Sequence, residues 1–110
     1  MIKVVMKISF VLIILGFSLS AKASFWSENT KILHLYPSAS GMVFMTDYRN
    51  SDVSTCDNGG RYLIPLSHVN YDVLVSTLLA SYFSGIKIRM NVDSVTPACS
   101  PTINRFIVIG

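Results

Sequence analysis

Between Tyr71 and Phe83 the apolar side chains fall at Tyr71, Leu74, Val75, Leu78, Leu79, Tyr82 and Phe83. That is the repeat of one helical face sustained over three turns. Asp72, Ser76, Thr77 and Ser81 take the opposite side. Asn70 supplies a side-chain oxygen suited to an N-cap, Asp72 suits the positive end of the helix dipole, and Gly85 stands where a left-handed residue ends a helix. The pattern predicts a helix from Tyr71 to the residue before Gly85, with its stripe covering a sheet. Directly after it the period changes from 3.6 to 2. Ile86, Ile88, Met90 and Val92 alternate with Lys87, Arg89 and Asn91, the signature of a half-buried strand.

Further strands are expected at "TKILHLYP", "GMVFMTDY", "RYLIPL" and, at the C-terminal end, "TINRFIVIG". Pro65 demotes the "RYLIPL" segment towards a sheet edge or an early stop. Pro97 and Pro101 keep the loop around Cys99 out of any hydrogen-bonded ladder. The stretch "RNSDVSTCDNGG" is polar and long for a hairpin connection, with Asn58–Gly59 suited to a tight turn inside it. The element order is β-β-β-α-β-β. Five strands with a helix between the third and fourth is the order of the OB-fold, a small Greek-key barrel. A simple antiparallel α+β sheet with one packed helix has the same order, and the order alone leaves both open.

The N-terminal segment reads differently. Lys3 and Lys7 precede the apolar run "ISFVLIILGFSL", and "SAKAS" offers Ala21 and Ala23 at the two small positions of a cleavage site. The run falls short of the ~20 apolar residues that span a bilayer. Residues 1–23 are therefore expected to be a cleaved secretory signal, residues 24–110 a single domain, and the destination secreted or periplasmic. An uncleaved anchor is the alternative that this flank disfavours. No cysteine follows the run, which argues against a lipoprotein.

Removing the signal changes the charge. The whole chain carries nine Lys and Arg against six Asp and Glu. Lys3, Lys7 and Lys22 leave with the signal, so six cations balance six acids and the net charge of the remainder is zero. The bulk electrostatic case for a nucleic acid or an anionic membrane partner goes with them. In an oxidising compartment Cys56 and Cys99, the only cysteines, are expected to pair and to tie the loop before the third strand to the loop before the fifth.

Chemistry-bearing patterns are sparse. His34 lies mid-strand and His68 before the helix, without the spacing of a metal site, so no metal and no cofactor are expected. Counted from Asp52, the loop fails the calcium pattern, with Asp57 where glycine belongs and Leu63 where glutamate belongs. Ser67–His68 are chain neighbours, Glu28 is the only glutamate, and neither G-x-S-x-G nor a phosphate-binding glycine loop occurs. No enzyme and no catalytic residue are expected. The best candidate for ligand binding is Asp47, Tyr48, Arg49 and Asn50. Their planar polar groups and one aromatic face suit sugar hydroxyls and the apolar face of a sugar ring, with a solvated loop as the competing reading. Phe25 and Trp26 suit a hydrophobic anchor against the barrel or an interface.

A secretory signal, a near-terminal Trp26, a cysteine after the second strand and the run "YFSGIKIRM" together resemble the B subunits of subtilase cytotoxin and typhoid toxin. The resemblance implies a secreted OB-fold domain, assembly as a homopentamer and recognition of glycans, sialylated ones in those toxins. The chain is shorter, and no sugar-contacting residue carries across. The expected function is thus a secreted, non-catalytic binding domain with a glycan or protein partner. The alternative is a monomeric periplasmic interaction or inhibitor protein.

Overall fold

The computed structural model describes residues 24–93 and 96–110; the expected signal lies outside them. Six strands and one long helix follow in order: β1 (Phe25–Trp26), β2 (Ile32–Ser38), β3 (Gly41–Thr46), β4 (Arg61–Pro65), α1 (Tyr71–Ser84), β5 (Lys87–Val92) and β6 (Ile103–Ile109). A short 3₁₀ turn, Asp57–Gly59, precedes β4. The fold is mainly β, as expected, but it has six strands instead of five. The additional one is β1, where Phe25 and Trp26 pair antiparallel with Val92 and Asn91. A two-residue strand is too short to show any period, which is why the segment reads as an anchor in the sequence.

Two antiparallel sheets result, β2-β3-β4 and β1-β5-β6. They do not close into one hydrogen-bonded barrel. Isolated bridges tie them where closure would occur, antiparallel at Thr30–Ile88 and parallel at Leu63–Thr102. Pro101 immediately precedes the second bridge and itself has no N–H to extend it, although its carbonyl accepts from Leu63 at 3.0 Å. β4 is an edge strand that stops at Pro65, as the sequence predicts.

Inward positions alternate as the pleat requires. Met42 and Phe44 of β3, Tyr62 and Ile64 of β4, Ile88, Met90 and Val92 of β5 and Ile103 of β6 are buried, with Ile32 and Leu78 completing the core. A bulge between Ile32 and His34 resets the face of β2. Leu33 is thereby exposed, Leu35 turns towards the core, and His34 and Tyr36 face outwards.

The helix matches its predicted span, yet its stripe is only partly a core face. Leu78 is fully buried, and Tyr71, Leu74, Val75, Leu79 and Tyr82 pack at the margin of the core. Phe83 is 79% exposed, its ring packed edge-on against Tyr82 instead of entering the core. Ser81, expected on the polar side, is buried and donates to the Thr77 carbonyl at 3.0 Å. The caps divide similarly. Gly85 adopts the left-handed conformation and its N–H closes on the Tyr82 carbonyl. Asn70 makes no side-chain cap. Its backbone N–H donates to His68 Nδ1 at 2.9 Å, while His68 Nε2 lies 2.8 Å from the Asn104 carbonyl. These partners assign the Nε2–H tautomer and pin the helix entry to β6.

Cys56 and Cys99 form the expected disulfide, Cα atoms 4.7 Å apart. Beside it Thr55 donates to the Ala98 carbonyl and Ala98 to that of Val53, both at 2.9 Å. The loops before β4 and β6 are therefore joined by backbone as well as by sulfur.

Candidate functional site

The segment Asp47–Asn50 leaves β3 and begins the long loop that returns through the 3₁₀ turn to β4. Most of its polar groups are used in holding that loop. Asp47 Oδ1 accepts from the Thr30 hydroxyl at 2.5 Å and from the Lys31 N–H at 3.0 Å. The Thr30 hydroxyl bond holds the Asp47 carboxyl below its usual range, assisted by Lys31 and by the charge of Lys87 and opposed by partial burial. Thr30 Oγ1 accepts in turn from the Tyr48 N–H at 2.9 Å. Tyr48 packs its ring on Tyr62, and its hydroxyl receives the Asn50 amide at 3.3 Å. Asn50 Oδ1 caps the Asp52 N–H, and its carbonyl accepts from Val53 and Ser54.

Arg49 differs from its three neighbours. Its Nη1 donates to the Asp57 carbonyl at 2.7 Å, reaching across the loop. The Asp57 carboxylate is taken by Arg61 Nε, also at 2.7 Å. Two guanidiniums thus grip one residue, one by its backbone and one by its side chain. Asp57 and Asn58 both have positive φ, 52° and 53°, a conformation costing roughly 1–2 kcal/mol for a residue with a Cβ. Asn and Asp tolerate it best. Gly59 follows at φ 83°, where an added Cβ would meet the Asn50 backbone at 2.6 Å. Strained backbone persists only where its surroundings over-determine it, and such places cluster at ligand sites.

This turn forms one wall of a cleft of about 250 Å³ lined by Leu33, His34, Met45, Arg49, Asp57 and Asn58. Register explains the grouping. His34, Met45 and Arg61 stand in one row across β2-β3-β4, and Tyr36, Val43 and Leu63 in the next, all on the outer face. Arg61 lies over the Tyr36 ring, 5.9 Å from its centroid, and its Nη1 is 3.4 Å from Cys99 Sγ. Tyr36 remains 51% exposed. Beneath the cleft Tyr62 is fully buried, donating from its hydroxyl to the Gly59 carbonyl at 2.9 Å, and burial pushes its ionisation well up.

No protein-family model, curated protein or solved structure matches the chain. The site therefore rests on its own geometry. Of the four residues singled out in the sequence, Arg49 lines the cleft, while Asp47, Tyr48 and Asn50 build the loop behind it. The reading missed His34, Tyr36, Asp57, Asn58 and Arg61. The alternation in "ILHLYP" and the "DNGG" turn were the signals for four of them, but joining them required the register. Among the described residues no group of three or more His, Cys, Asp or Glu could hold a metal ion, and no helix is long and apolar enough to cross a membrane.

A second depression of about 450 Å³ lies at the start of α1, lined by Leu66, His68, Val69, Asn70, Tyr71, Asp72 and Val73. Leu66, Val69 and Val73 are 59%, 94% and 60% exposed. Its apolar rim is mixed with His68, engaged in the helix entry, and with the side chains of Asn70 and Asp72.

Proposed function

We propose that the protein is a secreted, non-catalytic binding domain that takes a glycan on the outer face of β2-β3-β4. The observation that carries this reading is the left-handed Asp57–Asn58 turn, gripped by Arg49 and Arg61 at the edge of a cleft beside the exposed ring of Tyr36. Guanidinium forks, a carboxylate and an asparagine amide give planar donors and acceptors for sugar hydroxyls. An exposed tyrosine ring gives a surface for the C–H face of a sugar. The OB-like reading of the fold draws support from two of the three isolated bridges, Thr30–Ile88 and Leu63–Thr102. They bring the segment entering β2 beside β5 and β4 beside the segment entering β6, the neighbour order of a five-stranded barrel opened at its seams. On the toxin resemblance the active form is a homopentamer. A monomeric periplasmic interaction or inhibitor protein is the second reading, favoured by the exposed Leu66, Val69 and Val73.

The test is calorimetric titration of the exported, oxidised protein with sialyllactose and with lactose, for wild type and Tyr36→Ala. Saturable binding to either sugar that is lost in Tyr36→Ala supports the site; equal binding by both proteins removes it. Light scattering on a sizing column separates the two assembly readings. A closed ring favours the toxin-like form, and a monomer favours the interaction protein.

A further inference from the structure

The other sheet carries a second outer face, built around the chain's only tryptophan. Cross-strand register sets Trp26 in a row with Asn91 and Arg105. Two guanidiniums converge on the indole, Arg89 at 5.5 Å and Arg105 at 5.2 Å from the ring centroid, within cation–π range. Neither is free to swing away. Arg89 Nε donates to the Ser27 carbonyl at 3.0 Å, and Arg105 Nη1 to Asn104 Oδ1 at 2.7 Å. Asn104 is itself anchored through its amide to Asn91 Oδ1 and Asp93 Oδ1.

Two like charges are therefore held on one ring without a counter-charge. The ion pair described in the structure is Arg61–Asp57, on the other sheet, and neither Arg89 nor Arg105 has such a partner among the described residues. Asp93, which belongs to the same network, spends its oxygens on the Asn104 amide and the Thr102 hydroxyl. Lys87 adds a third exposed cation two residues before Arg89, about 7 Å along the same face of the strand. Asp47 offsets it in part.

We infer that the outer face of β1-β5-β6 binds a linear anionic polysaccharide through Arg89, Arg105 and Lys87, with Trp26 holding the two guanidiniums in place. Lys87 and Arg89 along β5, with Arg105 beside them on β6, form a row of cations that matches a chain of anions better than a single ion. The free edges of a guanidinium fork pair bidentately with sulfate or carboxylate groups. A lipid surface is the poorer match, because Trp26 is half-buried under the arginines and does not project to enter a bilayer interface. The site is separate from the β2-β3-β4 cleft and does not depend on it.

Trp26 makes the test direct, since its fluorescence can report only on this face. The exported, oxidised protein is titrated with heparin as the sulfated polysaccharide, at low and at physiological salt. A saturable change in emission is expected, weaker at higher salt. Arg89→Gln and Arg105→Gln should each reduce affinity about tenfold, the scale of a lost hydrogen bond to a charged group. Arg105→Lys, which keeps the charge and loses the fork, should fall between. If an arginine variant fails to fold by circular dichroism, Lys87→Gln replaces it, with a loss of about threefold expected from one exposed charge. An unchanged emission spectrum, or affinity undiminished in the folded variants, overturns the site. Equal binding to phosphatidylglycerol vesicles overturns the polysaccharide and assigns the face to a lipid surface.

Discussion

Replacing both Cys56 and Cys99 by alanine tests how much the covalent bridge contributes to this fold. The bridge closes a loop of 43 residues, and in the chain-entropy model such a loop costs the unfolded state about 4 kcal/mol of freedom at 25 °C. The folded side of the balance should change little. The Thr55–Ala98 and Ala98–Val53 backbone bonds stay, and so does the Ser54 hydroxyl bond to the Arg61 carbonyl at 2.8 Å. Those contacts keep the two loops adjacent once folded but do nothing to restrict the unfolded chain, so they cannot compensate. A domain of this size has a total stability of roughly 4–13 kcal/mol. The loss is therefore a large share of the whole, and a partly unfolded population in water is within its range. Urea titration followed by circular dichroism, oxidised wild type against the double variant, gives the difference directly. A loss of about 3–5 kcal/mol with a similar native spectrum is expected. A loss below about 1 kcal/mol would refute the reasoning, because it would mean that the unfolded chain is already held compact without the bridge.

Four further outcomes follow from the same contacts. Tyr62→Phe keeps the buried ring and removes the hydroxyl bond to Gly59; that carbonyl retains the Asn50 N–H at 3.0 Å, so the urea-measured cost should be about 1 kcal/mol and not the larger penalty of an orphaned group. Asp47 has its folded pKa held below its ordinary value of 3.8, so its stabilisation is present above that value and lost as pH falls through the lower folded one; Asp47→Asn should flatten the acid limb of stability against pH there. Gly59→Ala meets both a positive φ and the Asn50 backbone, and should cost about 2 kcal/mol or more in a thermal melt. Tyr36→Ala, by contrast, should leave the urea midpoint within about 0.5 kcal/mol of wild type while removing sugar binding, since the ring is half in solvent.

The parts of the fold that repeat were legible in the sequence. A seven-position stripe marked α1, period-2 alternation marked β5, and the pairing of two cysteines followed from the expected compartment. What escaped was set by tertiary contact. β1 is two residues long and exists only because Val92 and Asn91 offer it an edge. Phe83 belongs to the stripe by spacing, but it stays outside the core, its ring set against Tyr82. The four loop residues Asp47–Asn50 looked like a binding surface because they are polar. Three of them are polar because a long loop needs its backbone and hydroxyl groups satisfied. Arg49 reaches a backbone carbonyl eight positions away, a contact that no residue-type pattern announces. Trp26 and its two arginines come from opposite ends of the chain.

The central claim is that the β2-β3-β4 face is a glycan-binding surface, and a glycan array probed with wild type and Tyr36→Ala in parallel tests it most directly. On an array of neutral and sialylated glycans, without sulfated polysaccharides, the account predicts that wild type binds a defined group and that Tyr36→Ala, equally stable in urea, binds none of them. An array with no bound glycan, or the same pattern from both proteins, would contradict it.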